Sequence, residues 1–393
     1  MKAEEIRPGI HWVGAVDWDL RDFHGYLTQR GSTYNAYLIL DDKNVLVDTV
    51  KRPFFDEMLS RIRTVVDPSK IDYIVSNHVE MDHSGSISRM LELAPAATVI
   101  TSPNGKKGLF SHFEENWDFQ VVDFGDSLSI GRRTLTFVLT PMVHWPDSMV
   151  SYVPEEKLLL SNDAFGQHIA TPERFDDELS LGIIVEEAAK YYANIVFPYG
   201  DQVAKALDAL GGLDIQMIAP SHGVIWRTYV SKIVQMYRKW AVYESDVQAV
   251  IIYDTMWGST QKLAHSLRKG MESEGIRVRM RNLKTTHISD VVTDVLHSKA
   301  VVIGSPTLNN SMLPTVGSFL TYLKGLRPRQ RIGFAFGSYG WGGQAVKEVE
   351  SMLAQLNWEL PLSALNVKWI PGEKELELAE RRGRELALAM RKD

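Results

Sequence analysis

Residues 76 to 86 read S-N-H-V-E-M-D-H-S-G-S and place His78, Glu80, Asp82 and His83 within six residues. Two imidazoles and two carboxylates at that density are rarely structural, and the run reads as metal-ligand chemistry. Three further candidates share one arrangement, a short apolar run followed by a ligand-type residue. His144 follows residues 135–139, Asp163 follows residues 158–160, and His222 follows residues 215–218. Taken alone, a His or Asp after a strand is ordinarily a turn or cap residue. Taken together they gain meaning, because strands of one sheet end together and their loops converge on one place. Seven ligands suffice for two metals that share one carboxylate.

The donor set indicates which metals. There are four imidazoles (His78, His83, His144, His222) and three carboxylates (Glu80, Asp82, Asp163). Zinc favours nitrogen and sulfur, whereas hard oxygen donors mixed with imidazole suit iron or manganese. A carboxylate-rich set also stabilises higher oxidation states by neutralising charge. The expectation is therefore redox chemistry rather than hydrolysis, with a mixed-ligand dizinc site as the alternative.

A second constellation lies in the last third of the chain. The apolar run 247–253 leads into D-T-M-W-G-S-T-Q, residues 254 to 261, and then a helical stretch. The loop offers Thr255, Met256, Trp257, Gly258, Ser259 and Thr260, and a helix start with free N–H groups and hydroxyl donors is an anion site. It has no Lys or Arg and matches neither the Walker A pattern nor G-x-G-x-x-G, so neither a nucleoside triphosphate nor a dinucleotide is favoured. Two more loops follow strand-like runs at the same expected edge. One holds Ser305, Pro306, Thr307, Leu308, Asn309 and Asn310; the other holds Ser338, Tyr339, Gly340, Trp341 and Gly342. Glycine lets backbone approach a flat ring, and Trp or Tyr can stack on it. Each loop alone is commonplace; the three in register, on a segment of flavodoxin size, point to FMN.

These residues need a scaffold, and the pattern of the chain supplies two. Residues 34–40 and 45–47 are apolar around an Asp-Asp-Lys-Asn turn, a hairpin pattern. Phe55, Met58, Leu59 and Ile62 recur at helical spacing. Short apolar runs at 71–75, 98–100, 135–139, 158–160 and 215–218 are of strand length, and residues 224–245 read as one helix without Gly or Pro. After Asp246 the texture changes to alternating strand and helix, with strands expected at 247–253, 276–280, 300–303, 332–336 and 365–369. That alternation signifies a doubly wound α/β sheet. The expected division is a β-rich layered domain over 1–246 and an α/β domain over 247–393.

Composition narrows the classes of function. The chain has 393 residues, 45% apolar and 23% charged, with a formal net charge of −6. An acidic balance argues against a nucleic-acid or anionic-membrane binder. No apolar run approaches a membrane span, and the opening MKAEEIRPGIHW lacks the apolar core of a secretory signal. With no cysteine, the chain has no disulfide, no thiolate nucleophile and no Cys-ligated cluster. A cytoplasmic location is expected.

The order H-x-E-x-D-H, His, Asp, His, ahead of a flavodoxin-like unit, resembles the flavodiiron proteins, and the likeness spans essentially the whole chain. Sixty residues lie between His83 and His144, 18 between His144 and Asp163, and 58 between Asp163 and His222, which suits that family. The resemblance implies a metallo-β-lactamase-like αββα sandwich followed by a flavodoxin-like doubly wound parallel sheet. Hydrolases of the first fold usually carry H-x-H-x-D-H; Glu80 stands where their second His would be.

The resemblance also implies roles. One iron would be held by His78, Glu80 and His144, the other by Asp82, His222 and His83, with Asp163 bridging. His83 has the alternative of swinging away in favour of a water. The family reduces O2 to water, NO to N2O, or both, and its members are head-to-tail dimers or dimers of dimers. FMN of one chain lies beside the diiron site of the partner, bordered here by Trp145. Two metals about 3.5–4 Å apart can hold both ends of a diatomic molecule. With no cysteine in the chain, a fused rubredoxin is not expected, and a separate donor of rubredoxin type is implied. No nicotinamide motif is visible.

The resemblance places His24 over the irons and Tyr192 as a hydrogen-bond donor into the same pocket, against a plain reading of surface loop and helix packing. His168, five residues after Asp163, stands between the same two readings, while His11, His112, His265, His287 and His297 read as structural or exposed. Two other functions compete. A dizinc hydrolase with a flavodoxin-like passenger is opposed by Glu80 and the FMN loops; a simple electron carrier is opposed by the full seven-ligand set.

Overall fold

The computed structural model describes residues 1–391. Two compact units are present, Met1–Tyr192 with Tyr199–Ala241, and Ala193–Pro198 with Val242–Asp393.

The first unit is built on two sheets. The seven-stranded sheet runs, in spatial order, Glu4–Arg7, Ile10–Trp12, Tyr37–Ile39, Asn44–Val47, Ile71–Val75, Thr98–Thr101 and Phe119–Val121. Tyr37–Ile39 and Asn44–Val47 form the expected hairpin, with Leu38 opposite Leu46. From Asn44–Val47 onward the strands are parallel. The five-stranded sheet runs Ser127–Ser129, Thr134–Leu139, Met149–Val153, Leu158–Asn162 and Met217–Pro220.

Strand alternation makes this a sandwich. Successive side chains point to opposite faces. Tyr37, Ile39, Val45 and Val47 therefore meet Leu135, Phe137, Leu158 and Leu160 of the other sheet in one core. Leu38, Leu46, Ile74 and Val99 turn the other way, onto Phe55, Met58 and Ile62 of helix Phe55–Ile62 and onto Ile87 and Met90 of helix Ile87–Leu93. On the outer side of the second sheet, helix Gly200–Leu210 packs against strand Thr134–Leu139 and helix Val230–Ala241. The layers are helix, sheet, sheet, helix.

The helix expected over 224–245 is shorter. Ile225 and Trp226 bridge Phe175 and Ile218 instead of entering the helix. The turn that follows is tied by Asp176, whose carboxylate accepts from the N–H groups of Arg227, Thr228 and Tyr229. Those donors would otherwise be unmet at a helix start, so the helix begins at Val230. The strand expected at 215–218 is Met217–Pro220.

The second unit holds one parallel sheet in the order Arg277–Asn282, Asp246–Tyr253, Ser298–Gly304, Ile332–Tyr339, Leu365–Lys368. In chain sequence this is 2-1-3-4-5, the flavodoxin-like order. Ala249, Ile251 and Tyr253 share a core with Leu263, Leu267 and Met271 of helix Ser259–Ser273 and Ala379 and Leu386 of helix Glu373–Ala389. Val250 and Ile252, which alternate with them, are also buried. Both faces of the sheet are therefore covered, as parallel sheets require.

Candidate functional site

The seven ligand-type residues arrive from four strand ends. His78 and Glu80 lie in the loop after Ile71–Val75, and Asp82 and His83 in the short helix Met81–Ser84 that follows it. His144 comes from the loop after Thr134–Leu139, Asp163 directly after Leu158–Asn162, and His222 from the turn after Met217–Pro220. One sheet thus supplies four candidates and the other three, at one edge of the sandwich.

They form two groups of donor atoms: His78, Glu80, His144 and Asp163, and Asp82, His83 and His222. Asp163 joins the groups. Its Oδ2 lies 3.6 Å from His78 Nε2 and 3.2 Å from His144 Nε2. Its Oδ1 lies 3.0 Å from His83 Nε2 and 3.4 Å from His222 Nε2. Glu80 Oε2 completes the first group, 3.4 Å from His78 Nε2 and 3.3 Å from His144 Nε2. Asp82 completes the second, 3.4 Å from His83 Nε2 and 3.3 Å from His222 Nε2.

Metal fit can be tested on the polar atoms. His78 Nε2, His83 Nε2 and both carboxylate oxygens of Asp82 and Asp163 are buried with no hydrogen-bond partner. Buried polar atoms are ordinarily paired, so a cluster of unpaired donors pointing at common centres fits the binding of cations. The site field agrees. Burial opposes charge on His78, His83 and His144, yet the facing carboxylates outweigh it. Asp147, then Glu80 and Asp163, raise His78 to about 10, and Asp163 and Glu80 raise His144 to about 10. Asp82 and Asp163 raise His83 to about 9. Against the same burial, His83 and His144 hold Asp163 well below the carboxylate range, and His144 and His78 do the same for Glu80. A divalent cation would replace the protons that these groups otherwise hold.

Outer partners fix the imidazoles. His78 Nδ1 lies 2.9 Å from Asp147 Oδ2, which also accepts the Val79 N–H at 2.8 Å. His222 Nδ1 lies 2.7 Å from the Thr33 carbonyl. In each case the ring donates outward and leaves Nε2 free to face the centre. Glu80 Oε1 is 3.0 Å from Nε2 of His24, whose side chain is 73% exposed. His24 thus reaches the site from a solvent-facing turn.

His168 is buried, its Nδ1 2.8 Å from Ser32 Oγ and its ring 4.7 Å from that of His222. Burial and the neighbouring His222 hold it well below the imidazole range, so it is neutral. Tyr192 is buried against Tyr237 and Trp240. Its neighbour Tyr191 is the one that faces the histidines, 5.1 Å from His168 and 5.9 Å from His222 by ring centroid. The half-buried Trp145 stands edge-on to His78 at 5.0 Å. Sequence reasoning did not single out Asp147 or Tyr191. Asp147 carried one available signal, a carboxylate three residues beyond His144.

The second unit carries a cavity of about 580 Å³ at the end of its sheet where the three singled-out loops meet. Thr255, Met256, Trp257 and Ser259 line it from the first loop, and Pro306, Thr307, Asn309 and Asn310 from the second. Ser338, Tyr339, Gly340, Trp341 and Gly342 line it from the third. Gly258, Thr260, Ser305 and Leu308 are not in the lining. Thr260 Oγ1 pairs with Ser338 Oγ at 3.0 Å and ties two loops together; Ser305 Oγ accepts the Leu313 N–H at 2.9 Å. Gly258 sits at φ +85° as the N-cap of Ser259–Ser273, with no side chain capping the helix. The helix N-terminus is left with donors for an anion. Trp369 and Ile370, in the loop after Leu365–Lys368, also line the cavity, with Trp369 6.1 Å from Trp341 by ring centroid. Extending the strand-end argument to strand Leu365–Lys368 would have found them. A planar ring with a phosphate tail fits this combination of aromatic walls and uncapped helix.

Residues 33–223 match the ODP family of beta lactamases and residues 251–383 match flavodoxin. The chain is 47% identical over 388 residues to a nitric oxide reductase of Moorella thermoacetica, covering 97% of each. It is 43% identical over 397 residues to the rubredoxin-oxygen oxidoreductase of Megalodesulfovibrio gigas, covering 100% of this chain and 99% of the relative. The crystal structure of the flavodiiron protein from Giardia intestinalis superposes with a TM-score of 0.97 at 35% identity, covering 99% of this chain and 98% of the other.

Proposed function

Because the chain belongs to the flavodiiron protein family, we propose that it reduces O2 to water, NO to N2O, or both. The observation that carries this reading is the division of the two Asp163 oxygens between two groups of donors. In the proposed assignment His78, Glu80 and His144 would hold one iron, Asp82, His83 and His222 would hold the second, and Asp163 would be shared between them. The proposed diiron domain is 1–246 and the proposed FMN domain 247–393; the change of unit after Ala241 lies close to that division, with Ala193–Pro198 falling in the second unit.

When bound, the iron pair and a reduced flavin together supply the four electrons that take O2 to two waters, or the two that take two NO to N2O and water. The chain's own residues do the rest. Asp147 and the Thr33 carbonyl orient His78 and His222 by accepting from Nδ1. His24, bonded to Oε1 of Glu80, leaves only Oε2 directed at the first group of donors. Phe23, Tyr34 and Tyr191 surround His222 and exclude water from that side. Glu80 in place of a further histidine counts against a dizinc hydrolase.

Electrons are proposed to come from a separate donor of rubredoxin type, and the working form to be a head-to-tail homodimer with Trp145 bordering the partner's flavin. Among the described residues no helix is long and apolar enough to cross a membrane, and a cytoplasmic location is proposed. The test is a single turnover. Protein reduced with dithionite, then freed of excess reductant, should consume O2 or NO. Consumption of neither, with iron and FMN full, contradicts the proposal.

A further inference from the structure

The flavin-phosphate loop has no cation of its own and starts with a buried acid. Asp254 is 2% exposed and opens the loop 254–258. Its carboxylate accepts from the Thr255 N–H at 2.5 Å and from Thr315 Oγ1 at 2.6 Å. Such a group would repel a phosphate dianion arriving at the neighbouring helix start, since charges interact strongly where water is excluded.

A cation reaches this acid from elsewhere in the chain. Lys284 follows strand Arg277–Asn282, the edge strand beside Asp246–Tyr253. Its backbone is fixed by the Leu283 N–H donating to the Tyr253 carbonyl at 3.0 Å and by its own N–H donating to Asn282 Oδ1 at 2.9 Å. The side chain turns back under the loop. Its Nζ lies 3.3 Å from Asp254 Oδ1 and also donates to the Thr255 carbonyl. One ammonium therefore offsets the only charge in the loop and pins the carbonyl of its first cavity-lining residue. With that carbonyl held away, the Thr255 hydroxyl accepts the Gly258 N–H at 3.1 Å, and the turn into the helix is set.

We propose that Lys284 is a positioning residue of the flavin-phosphate subsite, acting by neutralising Asp254 and fixing Thr255 rather than by touching the flavin ring. The proposal rests on the FMN reading of this cavity. It assigns the subsite a charge specificity: the site favours a phosphorylated flavin over an unphosphorylated one because the pair Lys284 and Asp254 removes a repulsion felt only by phosphate.

The test uses flavin-free full-length protein and the fluorescence quenching of added FMN or riboflavin. The wild type should bind one FMN per chain, and binding of no FMN would overturn the cavity reading itself. K284M should weaken FMN by roughly two- to fivefold, the scale of one partly exposed ion pair, and leave riboflavin unchanged. D254N/K284M should recover most of the FMN affinity, because the acid that needed neutralising is gone. Equal weakening of FMN and riboflavin by K284M would make Lys284 merely structural, and no change in either would make it a spectator; both overturn the proposal. If K284M does not fold, K284Q carries the same comparison.

Discussion

Asp147 stands directly behind His78, its Oδ2 2.9 Å from Nδ1 of the ring. That bond selects the tautomer whose Nε2 lone pair faces Glu80 and Asp163. The carboxylate is itself held by the Val79 N–H, and its loop is anchored where Ser102 Oγ donates to the Asp147 carbonyl at 2.7 Å. Asp147→Asn should therefore lower metal affinity by about 10- to 100-fold, the usual cost of losing an outer partner of a ligating histidine. Competition against a metallochromic chelator would measure it. Unchanged affinity would mean that the ring needs no outer anchor.

Asp163→Asn removes charge from the carboxylate whose two oxygens face the two donor groups. Metal content should fall at both positions, not one, while FMN content stays at the wild-type value because the flavin cavity lies in the other unit. Elemental analysis alongside released-flavin absorbance reads both. Loss of flavin with retention of metal would show the site to be misplaced.

The histidine shifts predict how the metal-free protein responds to pH. His78, His83 and His144 bind protons more tightly in the fold than in the unfolded chain, at about 10, about 9 and about 10. Their contribution to stability is complete below the unfolded value of about 6.5 and is lost as pH rises through 9 to 10. Urea unfolding of the metal-free protein should therefore show stability falling from pH 7 to pH 10. Protons and metal compete for the same atoms, so apparent metal affinity should rise over the same interval. Stability that is flat or rising between pH 7 and 9 would contradict the assigned field.

Asp176 caps the turn before helix Val230–Ala241 by accepting three successive backbone N–H groups. Asp176→Ala should destabilise the protein by about 1–2 kcal/mol, at the upper end for a lost cap because three donors go unmet. Thermal unfolding at fixed metal load checks this. A change below about 0.5 kcal/mol would mean that water replaces the carboxylate at no cost.

Much of the metal site is legible in the sequence because its ligands obey a local rule. His78 to His83 are contiguous, and His144, Asp163 and His222 each trail a strand that must end at the same sheet edge. The flavin loops are legible for the same reason. What is hidden depends on the path of the chain beyond the strand end. Asp147 becomes a partner of His78 only because the loop 140–148 folds back on itself, with the Thr140 N–H bonded to the Ser148 carbonyl. Tyr191 ends helix Leu181–Tyr191 and Tyr192 opens the wider turn Tyr192–Val196, and successive helical residues point about 100° apart. Spacing alone does not say which of them faces the histidines; Tyr191 does. The helix at 230 starts late because Trp226 pairs with Ile218, a long-range contact that helical periodicity cannot register.

The most direct measurement is metal and flavin content on one purified sample, by elemental analysis and the absorbance of released flavin. Two iron and one FMN per chain are predicted from the two donor groups joined by Asp163 and from the cavity where the flavin loops meet. Two zinc per chain with no flavin would contradict the account and turn attention to hydrolysis of phosphoesters or thioesters.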